Sequence, residues 1–154
     1  MHPNLATIGS LLVFAALVAV AATAGAMFSP GPWYATIIKP GWTPPNWLFG
    51  PVWTTLYVMI AIAGWLVWTR GPRWPALGFW SGGLLLNAMW SWLFFGRQNI
   101  GLALVDIAVM WLSIVLFLVV TRQANRSAFW LFVPYFVWVS YAAALNLRIW
   151  TLNP

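Results

Sequence analysis

Long apolar runs separated by short polar breaks dominate this chain. Five runs are long enough to cross a bilayer, given that about 20 helical residues span its hydrocarbon. They extend roughly from Leu5 to Phe28, Trp47 to Trp68, Pro75 to Phe95, Gly101 to Val120 and Ser127 to Trp150. The breaks TRGPRWP, GRQNI and TRQANRS are short, which makes successive helices antiparallel neighbours. Only the first connection, residues 29–46, is long. Lipid offers the backbone no hydrogen bonds, so runs of this length are helices and not barrel strands. The pattern predicts an all-α protein. It is a single domain over residues 1–154, an integral membrane bundle of five transmembrane helices with spans 5–28, 47–68, 75–95, 101–120 and 127–150.

Composition agrees. The chain is 63% hydrophobic and only 5% charged, against about a quarter charged in soluble domains. The net charge of +6 raises the question of nucleic acid. The cations answer it. Lys39, Arg70, Arg73, Arg97, Arg122, Arg126 and Arg148 sit singly or in pairs at the ends of apolar runs, not as a stripe on one face,. That distribution fits interfacial anchoring, and no nucleic-acid partner is expected. Cysteine is absent, so disulfides, thiolate catalysis and cysteine metal sites are excluded,.

The first run has a small-residue step, Ala22-Thr23-Ala24, of the kind signal peptidases cleave. Its leader, His2-Pro3-Asn4, has no Lys or Arg, and the run exceeds a usual signal core, so a retained span is expected. Arg70, Arg73, Arg122 and Arg126 fall on the side of the N-terminus; Lys39, Arg97 and Arg148 fall on the other. The excess favours a cytoplasmic N-terminus, with the long first connection facing away from the cytoplasm.

Polar residues at depth in a bilayer need a partner or a purpose. Asp106 is the only acid. It makes an interhelical hydrogen bond, pairs with an arginine such as Arg97, or, with no deep histidine to help it, serves as a poor proton relay. Asn87 and Trp90, three residues apart, share a face of the third run. Tyr135, Trp138, Ala142 and Asn146 recur at i, i+3, i+7 and i+11 on the fifth. Either stripe is helix–helix packing, or it lines a pocket for a flat apolar ligand with Ala142 leaving room. Gly78 and Gly82 form a small-xxx-small pattern that lets two helices approach closely, and they mark a candidate dimer interface. Of 14 tryptophans, many flank the runs as an interfacial belt; Trp53, Trp90 and Trp138 lie deeper,.

The stretch KPGWTPPNWLF, residues 39–49, interrupts this pattern. Pro44 and Pro45 stop any helix and hold Thr43 extended. Trp42 and Trp47 bracket the turn, and Trp33 and Tyr34 precede it. So stiff a segment loses little entropy on ordering. It is either a lid over a cavity between helix ends or a passive interfacial anchor, and the lid is favoured.

The run WYATIIKPGWTPPNWLFGPVW, residues 33–53, resembles the signature of the tryptophan-rich sensory protein family, which includes the translocator proteins, or peripheral-type benzodiazepine receptors. LNAMWSWLFFGRQNIGLALVD, residues 86–106, and LFVPYFVWVSYAAALN, residues 131–146, agree with it, so the likeness covers essentially the whole chain. The resemblance implies five transmembrane helices, usually as a homodimer, with a ligand cavity inside each bundle closed by the first loop. It implies porphyrin-type ligands (protoporphyrin IX or haem), sterols in animal members, and aromatic drugs. It carries pocket roles onto Tyr34, Trp53, Asn87, Trp90, Trp138 and Ala142, and signature roles onto Lys39, Pro40, Trp42, Pro44 and Pro45. Asp106 matches a structural aspartate. Light-dependent porphyrin breakdown in some bacterial relatives points to Trp53 and Trp138 as catalytic candidates. One departure is clear: six residues separate Tyr141 from Arg148, one too many for the family's sterol motif, which makes sterol binding doubtful,.

Three functions follow as expectations. The leading one is a receptor or sensor in a bacterial envelope membrane that binds a tetrapyrrole, taking part in tetrapyrrole regulation or stress response. Its ligand contacts would be Tyr34, Trp42, Trp53, Asn87, Trp90, Tyr135, Trp138, Ala142 and Asn146, with Lys39, Pro40, Pro44 and Pro45 in the lid. No cofactor is required and no metal site is expected; the partners are the ligand, membrane lipid and a second copy of the chain. The second is light-dependent porphyrin degradation. No acid–base pair, metal cluster or activated nucleophile is visible, so conventional enzymology is not expected. The third is a porphyrin or sterol shuttle; the lack of visible repeats argues against coupled transport.

Overall fold

Helix ends in this protein are set by local chemistry at the polar breaks. The computed structural model of the chain describes residues 5–154; the His2-Pro3-Asn4 leader, on which the expectation of a retained first span rests, lies outside them. The described residues form α1 (Leu5–Ala26), α2 (Pro32–Thr36), α3 (Asn46–Arg70), α4 (Arg73–Ser91), α5 (Ile100–Ala124) and α6 (Arg126–Leu152). α4 continues into a π-helical turn, Trp92–Gly96. Pro45 and Pro72 stand at the N-caps of α3 and α4, where a missing donor is harmless,. Asn99 caps α5 by accepting from the Leu102 amide at 2.9 Å. Asn125 caps α6 through the Ala128 amide at 3.1 Å and donates to the Leu66 carbonyl at 3.1 Å, tying this turn to α3,.

The protein is all-helical in its described residues. α1, α3, α5 and α6 are long and apolar enough to cross a membrane. α4 is not in that set: it carries Arg73 at its start and Ser81, Asn87 and Ser91 along its length. Packing neighbours run from α1 to α3, α3 to α6, α6 to α5, α5 to α4 and α4 back to α1. The five long helices therefore form a closed ring. Its outer face is apolar, with Leu12, Val20, Leu85, Val105, Val119 and Val137 exposed, as lipid contact requires. The chain is an integral membrane protein.

The interior differs between the two ends of the ring. Towards the N-terminus of α1 it is solid. Trp80 of α4 donates its indole N–H to the Ile60 carbonyl at 2.9 Å and meets Phe14 edge-on at 5.1 Å. Gly64 makes this crossing possible: a Cβ there would lie 2.6 Å from the Trp80 ring. Phe117 and Phe132 close the other side at 3.9 Å between ring centroids. At the opposite end the ring is hollow. The candidate dimer glycines are not equivalent. Gly78 is exposed with open space around it, whereas a Cβ on Gly82 would meet Ser113 of α5 at 3.7 Å.

Candidate functional site

The hollow end holds a partly open cavity of about 340 Å³. All five long helices and the first connection contribute to its wall. α1 presents only small side chains, Ala22, Gly25 and Ala26. α3 presents Phe49, Trp53 and Tyr57, and α4 with its π turn presents Asn87, Trp90, Phe94 and Phe95. α5 gives Ile107 and Met110; α6 gives Trp138, Ala142, Leu145 and Asn146. The π turn advances the register so that Phe94 and Phe95 both reach the wall, a local feature common at functional sites.

Rings build most of this wall. Trp53 stacks on Tyr57 at 5.3 Å. Trp90 stacks on Phe94 at 5.0 Å, and Trp138 on Tyr141 at 5.9 Å. The few polar groups are held between helices. Tyr57 donates to the Asn87 side-chain oxygen at 2.8 Å. The Trp90 indole N–H donates to the Asn146 oxygen at 2.9 Å, while the Asn146 amide donates to the Ile100 carbonyl at 3.1 Å. Both asparagines thus make helix–helix hydrogen bonds and also face the cavity. Such an apolar pocket with a few fixed polar groups suits a largely apolar ligand.

The structure brings Tyr34, Trp53, Asn87, Trp90, Trp138, Ala142 and Asn146 together around one space. It leaves two expected contacts out. Tyr135 is 2% exposed and lies one turn below Trp138, beneath the cavity floor. Its hydroxyl meets the Met110 sulfur at 3.3 Å, and its ring meets Trp53 and Phe132 edge-on. Trp42 lies outside the wall: its ring meets Tyr141 edge-on at 5.5 Å, and its carbonyl accepts from the Tyr141 hydroxyl at 2.7 Å. Two rings, Tyr141 and Trp138, separate it from the space.

The first connection, expected as a lid over residues 29–46, meets the cavity only through its first part. Lys39, Pro40, Pro44 and Pro45 do not line the cavity; Phe28, Ser29, Pro30 and Tyr34 cover it. Phe28 fits because Gly96 leaves room, a Cβ there lying 2.7 Å from its ring. The proline segment acts as a brace. Pro40 accepts from the Thr43 amide and hydroxyl, closing a turn, and Pro45 starts α3. Lys39 donates to the carbonyls of Tyr34 and Ile37 and sits over the Tyr34 ring at 4.7 Å. The amide of Asn153 exchanges two hydrogen bonds with the Ile38 backbone, at 3.0 and 2.9 Å, latching the connection to the end of α6. Tyr34 packs edge-on against Phe94 and Phe95, and its burial pushes the hydroxyl above its ordinary pKa.

Asp106 has no arginine partner. It is buried, and neither carboxyl oxygen meets a donor among the described residues. Arg97 instead lies over the Trp92 ring at 5.8 Å. The sequence reading also missed Tyr57, Phe94 and Met110. The signal for two of them was spacing: Tyr57 follows Trp53, and Phe94 follows Trp90, by four residues.

Comparison with known proteins gives this wall a context. Residues 11–151 match the TspO/MBR family. The chain is 41% identical over 140 residues to the tryptophan-rich protein TspO of Chlorobaculum tepidum, covering 85% of this chain and 87% of that protein. It is 42% identical over 125 residues to the TspO of Archaeoglobus fulgidus, covering 79% and 80%. It is 37% identical over 127 residues to the translocator protein of Homo sapiens, covering 79% and 75%. The matched residues run through all five long helices and the connection above the cavity, and on that extent of likeness the chain belongs to the TspO/MBR family of membrane proteins.

Proposed function

We propose that this protein is a membrane receptor that takes a flat tetrapyrrole into the hollow end of a five-span bundle and reports it by moving the first connection. The observation that carries this reading is the wall itself, where Trp53, Trp90 and Trp138 surround one apolar space. Aromatic faces favour a flat conjugated ligand by stacking and burial. Relatives bear the names tryptophan-rich sensory protein, in Cereibacter sphaeroides, and translocator protein, in mammals, and a ligand-dependent role fits both. α4 acts as the fifth span in this reading. From Arg73 to Gly96 its helical path is about 36 Å at about 1.5 Å per residue, enough for the hydrocarbon.

The volume supports a moving cover. About 340 Å³ is at the small end of ligand pockets, which run from about 300 to 1,000 Å³. A tetrapyrrole exceeds it, so uptake and displacement of Phe28, Ser29, Pro30 and Tyr34 are one event. A ligand carboxylate would draw Lys39 from the Tyr34 and Ile37 carbonyls and loosen the brace at the same time. Titration of tryptophan fluorescence with protoporphyrin IX tests this. Saturable quenching is expected, weakened roughly tenfold in Trp138→Ala and in Tyr34→Ala. Equal affinity in all three proteins refutes the assignment.

A second reading is photochemical, and one observation favours it: Trp53 and Trp138 share the wall, each stacked on a tyrosine. An excited porphyrin would take an electron from either indole and pass it to dioxygen, giving superoxide; the indole radical cation would then recover its electron from the porphyrin, so that the porphyrin is oxidised, dioxygen is reduced and the indole is a relay. Loss of porphyrin in light, abolished by Trp138→Phe with binding retained, supports this reading; loss unaffected by Trp53→Phe and Trp138→Phe removes it.

A further inference from the structure

A second concavity lies at the solid end of the bundle, on its outer face. It is an open groove of about 660 Å³ between the end of α5 and the start of α6. Arg122 and Arg126 stand at its polar end, Leu118 and Val119 form one wall, and Phe129 and Trp130 form the other. Val119 and Trp130 are about two-thirds exposed, at 66% and 65%, on a surface that faces lipid.

Arg122 and Arg126, like Arg70 outside the groove, hold no other side chain, and what sets them apart is that both stand at one groove. Arg73 donates to the Trp68 carbonyl at 2.8 Å and lies over the Trp68 ring, Arg97 lies over Trp92, and Arg148 reaches Thr151. Arg122 and Arg126 are exposed and have no side-chain partner among the described residues. No acid is near. Asp106, the only one in the chain, lies about 24 Å back along α5 at about 1.5 Å per residue. Two guanidiniums at the mouth of a greasy groove thus lack a counter-ion that the chain can supply. A second copy cannot supply one either, since its Asp106 would be equally buried. The membrane can: anionic phospholipids carry a phosphate at this depth, guanidinium matches phosphate in fork geometry, and basic pockets between spans hold anionic headgroups.

We propose that this groove is a binding site for one anionic phospholipid. Its phosphate bridges Arg122 and Arg126, and an acyl chain lies along Leu118 and Val119 against Phe129 and Trp130. The site is separate from the cavity, on the other end of the bundle.

Native mass spectrometry of the full chain in detergent tests this, with phosphatidylglycerol and a phosphatidylcholine of the same acyl chains as probes. Wild type is expected to retain one phosphatidylglycerol in preference to phosphatidylcholine. R122Q/R126Q should weaken that binding roughly thirtyfold, from about 1 kcal/mol per interfacial cation. Val119→Trp, which keeps both charges but fills the acyl lane, should weaken it several-fold. Arg70→Gln, which removes an equally unpartnered arginine outside the groove, should leave it unchanged. Thermal unfolding by circular dichroism checks that each variant is folded, and Val119→Trp carries the test alone if R122Q/R126Q is not. Equal phosphatidylglycerol binding in the folded variants and wild type overturns the assignment, as does equal retention of the two lipids or an equal loss in Arg70→Gln. A shift from dimer to monomer ions in R122Q/R126Q with lipid binding unchanged would give the groove to a second copy and also overturn it.

Discussion

The two ends of this bundle use similar residues for opposite purposes. At the solid end, Trp80, Phe14, Phe117 and Phe132 fill the ring, and Gly64 lets the helices close until indole and backbone touch. At the hollow end, Trp53, Trp90 and Trp138 stand around a space, pinned to the wall by Tyr57, Asn146 and Tyr141. Aromatic content therefore does not distinguish core from site here. What distinguishes them is the neighbour. Trp80 fills the bundle because Gly64 and the Ile60 carbonyl receive its ring, and Phe117 and Phe132 pack on each other across it, whereas each hollow-end tryptophan is held from behind by a ring or an amide and leaves a void in front. The hollow end also has a cover, braced by Lys39 and latched by Asn153, while the solid end is tied shut by the Asn125 cap on Leu66.

Adding bulk at each end should separate the two most sharply. Gly64→Val drives a side chain into the Trp80 and Phe14 rings and should destabilise the protein by roughly 3 kcal/mol, read as a fall in thermal midpoint. Ala142→Phe adds more volume but enters the hollow. It should change stability by less than about 1 kcal/mol while weakening protoporphyrin binding roughly thirtyfold in the fluorescence titration. Equal destabilisation by both would erase the distinction between the ends. Asn153→Ala removes the latch on Ile38 and should cost about 1 kcal/mol of local closure. Ligand association and dissociation in stopped flow should then both quicken several-fold at nearly unchanged overall stability. Asp106→Asn should be the mildest, within about 0.5 kcal/mol of wild type in thermal unfolding, because the carboxylate has no partner to lose,. A large loss there would reveal a partner.

Much of this was legible in the apolar pattern, and the misses have physical reasons. The runs located every long helix, with ends set by polar breaks that became the Asn99 and Asn125 caps. Periodicity placed Trp138, Ala142 and Asn146 on one face correctly. It fixed the face of Tyr135 too, but spacing says nothing of depth, and that ring lies below the floor. Proline marked the stiff part of the connection, and stiffness suggested a lid. In the fold, stiffness serves the brace, and the covering surface comes from Phe28, Ser29, Pro30 and Tyr34. Pairing Asp106 with Arg97 assumed that opposite charges on adjoining segments meet. The chain turns through Gln98 at a φ of 53°, and Arg97 lies over Trp92 instead. The π turn that brings in Phe94 and Phe95 leaves no signature in residue type.

The central claim is that the hollow end admits a flat ligand only by displacing its cover. The most direct measurement is a diffraction structure of the full chain with protoporphyrin IX bound. The macrocycle should lie between Trp53 and Trp138, with residues 28–36 displaced and the crossing of Gly64 with Trp80 unchanged. A macrocycle on the outer face of the bundle, with Tyr34 still packed on Phe94 and Phe95, would contradict it.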